Sequence, residues 1–198
     1  MPKVVDHDTR RAELIAATWR TIRRLGLPGT TTREIAREAG VSHGQLAYYF
    51  DDKDAIVEAA LQRAYELARS QLAERVAGRT GIDAVRECLV AALPLGDARL
   101  ETEVLVSSWG DVVSDETRRA SRYASFSEWR DHVRLLVRIA ATLGEITPDV
   151  PAENIADALV AVVDGLTLHA VLSPRDYPPR RLLDTLDLTL DRYRVPRS

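Results

Sequence analysis

Residues 32–53, TREIAREAGVSHGQLAYYFDDK, hold two short helical patterns joined by a tight turn. Ile35, Ala36, Ala39, Val41, Leu46 and Tyr49 take the inward positions, and Ala36 has no bulk beyond Cβ, so a second helix can cross near it. Gly40 falls where the backbone must turn left-handed, a conformation that costs glycine no Cβ clash. Ser42 stands at an N-cap, so the second helix starts near His43. Turning that helix at about 100° per residue puts His43, Gly44, Ala47 and Tyr48 on one side, Leu46, Tyr49 and Phe50 toward the other, and Gln45 on the flank. The outward side is short and polar. Gly44 and Ala47 let the backbone approach a base pair, His43 and Gln45 can meet base edges, and Tyr48, with Tyr49 at the margin, can reach a phosphate. The pattern is a helix-turn-helix, a motif that also occurs in helical hairpins that bind no DNA.

Upstream, Asp8 or Thr9 can cap a helix whose inward stripe is Leu14, Ile15, Thr18, Trp19 and Ile22 and which Gly26 ends. Thr31 or Thr32 begins the next helix, where a hydroxyl can cap the amides or touch a phosphate. Downstream, a long helix is expected over 52–77, with Asp51, Asp52 and Asp54 favouring its positive end. About 26 residues at about 1.5 Å each make a rod near 39 Å. Further helices are expected over 82–93, 97–113, 115–143, 152–172 and 180–193, and no strand alternation appears. The predicted fold is all-α with about nine helices: a three-helix head over 1–52 and a helical body over 53–198.

Residues 10–61 resemble the amino-terminal domain of the tetracycline-repressor (TetR) family, most closely its choline-responsive, betaine-pathway branch. The resemblance is carried by Leu14-Ile15, Ala17-Thr18, Gly26, Thr31, Ile35-Ala36, the run from Ala39 to Ser42, Gly44, Tyr49-Phe50 and Lys53. Ala47 stands where many members have tyrosine; the betaine-like branch has a small residue there, which removes one phosphate contact. The resemblance implies a DNA-binding regulator with Lys53 beside the DNA backbone. With the residues above, the expected DNA contacts are Thr31, Thr32, Ser42, His43, Gly44, Gln45, Tyr48, Tyr49 and Lys53.

Family members enclose a small-molecule effector among helices five to eight. Trp109, Tyr123, Phe126 and Trp129 fall there, and aromatic faces of this kind can cage a quaternary ammonium such as choline. Ordinary core packing explains the same residues. Helices eight and nine are more apolar than one side of a monomer needs. Leu159, Val163 and Leu166, with Leu182, Leu186 and Leu190, are expected to form a four-helix bundle with a second chain, and Val163-Asp164-Gly165-Leu166 resembles the betaine-branch pattern.

Composition narrows the alternatives. The net charge of −3 is uneven, with eight Lys or Arg against five Asp or Glu in residues 1–50 and nineteen against twenty-five in 51–198. A basic head on an acidic body has the polarity that phosphate neutralisation favours. Cys88 is the single cysteine, so no intramolecular disulfide forms and a reducing compartment is expected. No apolar run approaches the roughly 18 residues of a membrane span and no leader pattern precedes the head, so a cytoplasmic protein without a membrane partner is expected. His7, His43, His132 and His169 lack metal-ligand spacing, and no phosphate-binding glycine loop or nucleophile elbow occurs, so no enzyme, metal or cofactor is expected. Two functions remain. One is a ligand-relieved homodimeric repressor on a palindromic operator, or an activator of the same fold. The other is a sequence-tolerant architectural DNA-binding protein with no effector.

Overall fold

A computed structural model of the chain describes residues 7–96, 99–109 and 116–196. Among these residues the elements are α1 (His7–Gly29), α2 (Thr32–Ala39), α3 (His43–Tyr49), α4 (Lys53–Val76), α5 (Gly81–Ala91), α6 (Arg99–Ser107), α7 (Glu116–Thr142), α8 (Ala152–Leu172) and α9 (Pro179–Asp191). One isolated antiparallel bridge, Ile146 to Arg194, is added to them. The all-α expectation holds. α1 starts at His7, so Asp8 lies in its first turn and does not cap it, and Gly26 (φ 69°) breaks its path as expected. The expected extensions of α6 and α7 at 97–98, 110–113 and 115 lie outside the described residues, as do residues 1–6.

The chain divides into two compact units, Met1–Leu67 with Leu100–Gly110, and Ala68–Arg99 with Asp111–Ser198. In the first, Leu14, Trp19 and Ile22 of α1 join Ile35, Leu46, Phe50, Ile56, Leu61 and Val104 in one buried cluster. The three-helix head thus shares its core with the first half of α4 and with α6. Trp19 ties α1 to α4 directly, its Nε1 donating to the Ala60 carbonyl at 2.8 Å.

In the second unit α5, α7, α8 and α9 surround Cys88, Leu89, Val137, Ile155, Leu159, Val163, Leu186 and Leu190, with Leu72 and Val76 of α4 packed against them. Burial pushes the Cys88 thiol up to about 12, which leaves it an inert core side chain. Arg86 forks onto Asp187 at 2.6 and 2.9 Å and so pins α5 to α9, while Arg134 forks onto Asp157 at 2.8 and 3.0 Å between α7 and α8. Glu145 Oε2 accepts from the Ile82 amide at 2.7 Å, capping the start of α5. Gly81 is doubly constrained there: its φ is +61°, and a Cβ would lie 1.9 Å from that same carboxylate oxygen.

One expectation is corrected. α8 is long and apolar enough to cross a membrane by length and composition, with a mean hydropathy of 1.8. Its apolar side is spent on the core instead, with Ile155, Ala156, Leu159, Val160, Val163, Leu166 and Ala170 buried. The residues assigned to the dimer contact lie in the same core. Leu159, Val163, Leu166, Leu182, Leu186 and Leu190 are only 0–6% exposed in the single chain and pack against their own subunit. The apolar side chains that α8 and α9 do expose are Leu168, Leu172 and Leu188.

Candidate nucleic-acid interface

The helix-turn-helix is fixed by its caps. Thr31 Oγ1 accepts from the Glu34 amide at 3.2 Å, which gives that hydroxyl to the start of α2. Gly40 ends α2 in the left-handed region (φ 67°, ψ 30°), its amide returned to the last turn. Ser42 Oγ accepts from the Gln45 amide at 3.1 Å, and Gln45 Oε1 accepts from the Ser42 amide at 2.9 Å. This reciprocal capping box holds α3 at a fixed angle to the turn. α2 is braced on α1 through Arg20 to Glu38 (2.8 Å) and Arg24 to Glu34 (3.0 Å), with Arg37 also on Glu34. The Arg20 guanidinium hydrogen-bonded to Glu38 holds that carboxyl below its ordinary range. Both acidic side chains of α2 are thereby answered by cations.

The outward face of α3 matches the wheel: His43, Gly44, Gln45, Ala47 and Tyr48 are exposed, Leu46 is buried and Tyr49 is half-buried. A Cβ on Gly44 would meet nothing nearer than Ser42 Oγ at 4.0 Å, so that stretch of backbone lies open. His43 Nε2 lies 3.1 Å from Thr32 Oγ1, joining the first residues of α2 and α3. Tyr48 and Tyr49 pack edge to face at 5.2 Å, and the His7 ring lies 4.7 Å from Tyr49. Lys53 Nζ donates to the Leu27 carbonyl at 3.0 Å, which parks its charge beside the turn between α1 and α2. Two of its three donors remain to be satisfied elsewhere. The capping box and the contacts of His7 and Thr32 escaped the sequence reading, although Ser-x-x-Gln at 42–45 is the signature of the first.

The proposed effector residues divide between the two units. Phe126 and Trp129, one helical turn apart on α7, have ring centroids 6.2 Å apart. Tyr123 carries the Arg130 guanidinium over its ring at 5.9 Å, so that face already holds a cation. Trp129 Nε1 and His132 Nε2 are both buried without a hydrogen-bond partner. Two such polar atoms, a Trp donor and a His nitrogen whose role its tautomer sets, on adjacent turns of one helix are groups a ligand would satisfy, and the sequence reading had weighed His132 only as a metal ligand. Trp109 belongs to the other unit and is 37% exposed. Among the described residues no group of three or more His, Cys, Asp or Glu is placed to hold a metal ion.

Asp164, half-buried on α8, has its carboxyl pushed up to about 6 by burial, from an ordinary 3.8. The folded state therefore binds this proton more tightly than the unfolded state does, so its contribution to stability is present below about pH 4 and is lost as pH rises through about 6. Chemical denaturation across that range should show Asp164→Asn losing this downward slope and gaining stability over the wild type at pH 7.

Residues 14–60 match the model of bacterial regulatory proteins of the tetR family, and residues 81–194 match that of the BetI-type transcriptional repressor C-terminal domain. The chain is 30% identical over 200 residues to the HTH-type transcriptional regulator BetI of Burkholderia mallei, covering the whole of both chains. It is 31% identical to BetI of Burkholderia ambifaria over 96% of this chain and 98% of that one. Among solved structures it is similar to a chain from Saccharomonospora viridis crystallised with choline, with a TM-score of 0.87, 22% identity and coverage of 96% and 100%. A transcriptional regulator of Rhodococcus sp. Rha1 superposes with a TM-score of 0.79 at 29% identity, over 92% of this chain and 95% of that one. Fold and interface together define a non-enzymatic helix-turn-helix transcriptional regulator. The chain belongs to the TetR family, and its carboxy-terminal part is of the BetI type.

Tyr48 is 75% exposed, so its removal should leave the fold intact. Tyr48→Ala is expected to weaken DNA binding roughly tenfold or more, the worth of one hydrogen bond to a charged phosphate. Anisotropy titrations with a melting curve check this; a lowered melting temperature at unchanged affinity would make Tyr48 a packing residue.

Proposed function

We propose that the protein is a cytoplasmic, homodimeric repressor that holds a palindromic operator and is released from it by a small organic cation. The observation that carries the reading is α3, whose polar outward face is exposed along its length and locked in orientation by a double cap. Thr31, Thr32, Ser42, His43, Gly44, Gln45, Tyr48, Tyr49 and Lys53 form the DNA-facing set. Of these, Ser42 and Thr31 act through the helix starts they cap, and Lys53 and Tyr48 meet phosphate. Two heads related by a two-fold axis place two copies of α3 in successive major grooves. The partner contact uses Leu168, Leu172 and Leu188, the exposed apolar side chains of α8 and α9.

The effector is assigned to the quaternary-ammonium class. Phe126 and Trp129 offer adjacent aromatic faces to a cation, and the unpartnered Trp129 N–H and His132 nitrogen offer hydrogen-bonding groups to a hydroxyl on the same molecule. The structural relative crystallised with choline supports the same class. α4 runs from Lys53 to Val76, and its first half packs in the core of the head. The energy available is the difference in the cation's affinity for the operator-competent and released states.

The test is an operator titration with and without choline, paired with calorimetry of choline on the free protein. A rise in the operator dissociation constant at saturating choline supports the reading. An unchanged constant with choline demonstrably bound refutes effector release by this class of ligand.

A further inference from the structure

The search for sequence-reading groups on α3 narrows to one side chain. His43 has its Nε2 engaged with Thr32, Gly44 has no side chain, Ala47 has no polar atom, and the exposed Tyr48 is assigned to phosphate in the proposed function. Gln45 remains, and its amide is not free to rotate. Its oxygen accepts from the Ser42 backbone N–H at 2.9 Å while its own backbone N–H donates to Ser42 Oγ at 3.1 Å. The orientation of the amide is thus set by the bond it makes: a backbone N–H can be met only by oxygen, so the NH₂ end points away from the cap.

A glutamine that reads adenine needs both ends of its amide, the NH₂ for N7 and the oxygen for the N6 amino group. Here the cap turns the oxygen toward the Ser42 backbone and takes one of its lone pairs, so the end of the amide presented to the groove is the NH₂ donor. Guanine offers two acceptors there, N7 and O6, whereas adenine sets its own donor beside N7 and cytosine offers only a donor. We propose that Gln45, fixed by the Ser42 capping box, reads guanine and discriminates against adenine and cytosine at its base position. This rests on the reading of α3 as the recognition helix and adds to it the chemistry of the base that is read.

The proposal is tested with Gln45→Glu, because glutamate closes the same capping box through one oxygen but presents an acceptor with the other. Wild type, Gln45→Glu and Gln45→Ala, each as the full chain, are titrated on operator duplexes substituted one base pair at a time, with melting curves alongside. The Gln45 position is the one at which Gln45→Ala flattens the preference. There the wild type should prefer guanine over adenine by about tenfold. Gln45→Glu should melt like the wild type, bind all duplexes more weakly through phosphate repulsion, and invert the preference toward cytosine or adenine. Adenine preferred by the wild type would overturn the proposal, since the cap would then open on DNA. So would a Gln45→Ala variant that keeps every base preference, or a Gln45→Glu variant that keeps the guanine preference. A wild type with no preference at any position would instead remove the recognition-helix reading itself, a result distinguishable from these.

Discussion

Replacing Leu168 and Leu172 together by glutamate is expected to yield a folded monomer that has lost specific operator binding. The burial pattern forces the choice of residues. Six leucines and valines of α8 and α9 are consumed by the core of the single chain, and what is left outward is Leu168, Leu172 at 71% exposed and Leu188 at 68%. Large apolar side chains this open contribute little to the subunit, so charging them leaves the core intact. A partner subunit would bury them, at about 25 cal/mol per Å² of apolar surface removed from water. Glutamate there would have to be desolvated against its own symmetry mate, and like charges brought together across a two-fold axis repel. One head without the other makes half the phosphate and base contacts, so the preference of roughly 10³ or more that specific sites command should collapse toward the non-specific level. Sedimentation velocity gives the mass and anisotropy the preference. A variant that stays dimeric would move the contact elsewhere, and the exposed Leu135 and Ile139 of α7, with Leu143 just after it, would be the next face to charge.

The second large effect is expected inside the head. Trp19 is 7% exposed, packs in the core of the first unit and donates to the Ala60 carbonyl of α4 at 2.8 Å. Trp19→Ala removes the side chain and leaves a cavity between α1 and α4, a change worth about 3–5 kcal/mol. That is a large part of the stability of a small domain. The first unit should therefore melt well below the second, splitting one thermal transition into two, with DNA binding lost at the first. Trp19→Phe keeps most of the packing and loses the hydrogen bond, so it should cost only about 1 kcal/mol. A Trp19→Ala protein that melts in one transition at the wild-type temperature would show that the tryptophan does not hold the head to α4.

Local rules found the elements well. Gly40 and Ser42 fixed the turn because one left-handed glycine and one capping hydroxyl admit few alternatives, and α8 falls at 152–172 as expected because Pro151 and Ser173 bound an unbroken apolar helix. The partner that a stripe meets was not legible. Leu159, Val163 and Leu166 recur at helical spacing whether they face their own core or another chain, and periodicity carries no label for which. Leu168 and Leu172, off that stripe, were passed over for the same reason. Gln45 shows a different limit. A helical wheel gives the direction of a side chain but not the hydrogen bonds that occupy it, so the amide was read as free where the cap holds its oxygen. The aromatic residues of α7 were found by type and helix, whereas the unpartnered nitrogens of Trp129 and His132 appear only once the neighbours are in place.

The central claim, a sequence-reading regulator and not a general DNA packer, is tested most directly by one binding curve. The protein is titrated by fluorescence anisotropy on the duplex upstream of its own gene and on a scrambled duplex at physiological salt. The account predicts a preference of roughly 10³ or more for the upstream duplex, the range of specific sites. Equal affinities for that duplex, the scrambled one and every tiled fragment of the flanking genes, falling together as salt rises, would contradict it and leave an architectural DNA-binding protein.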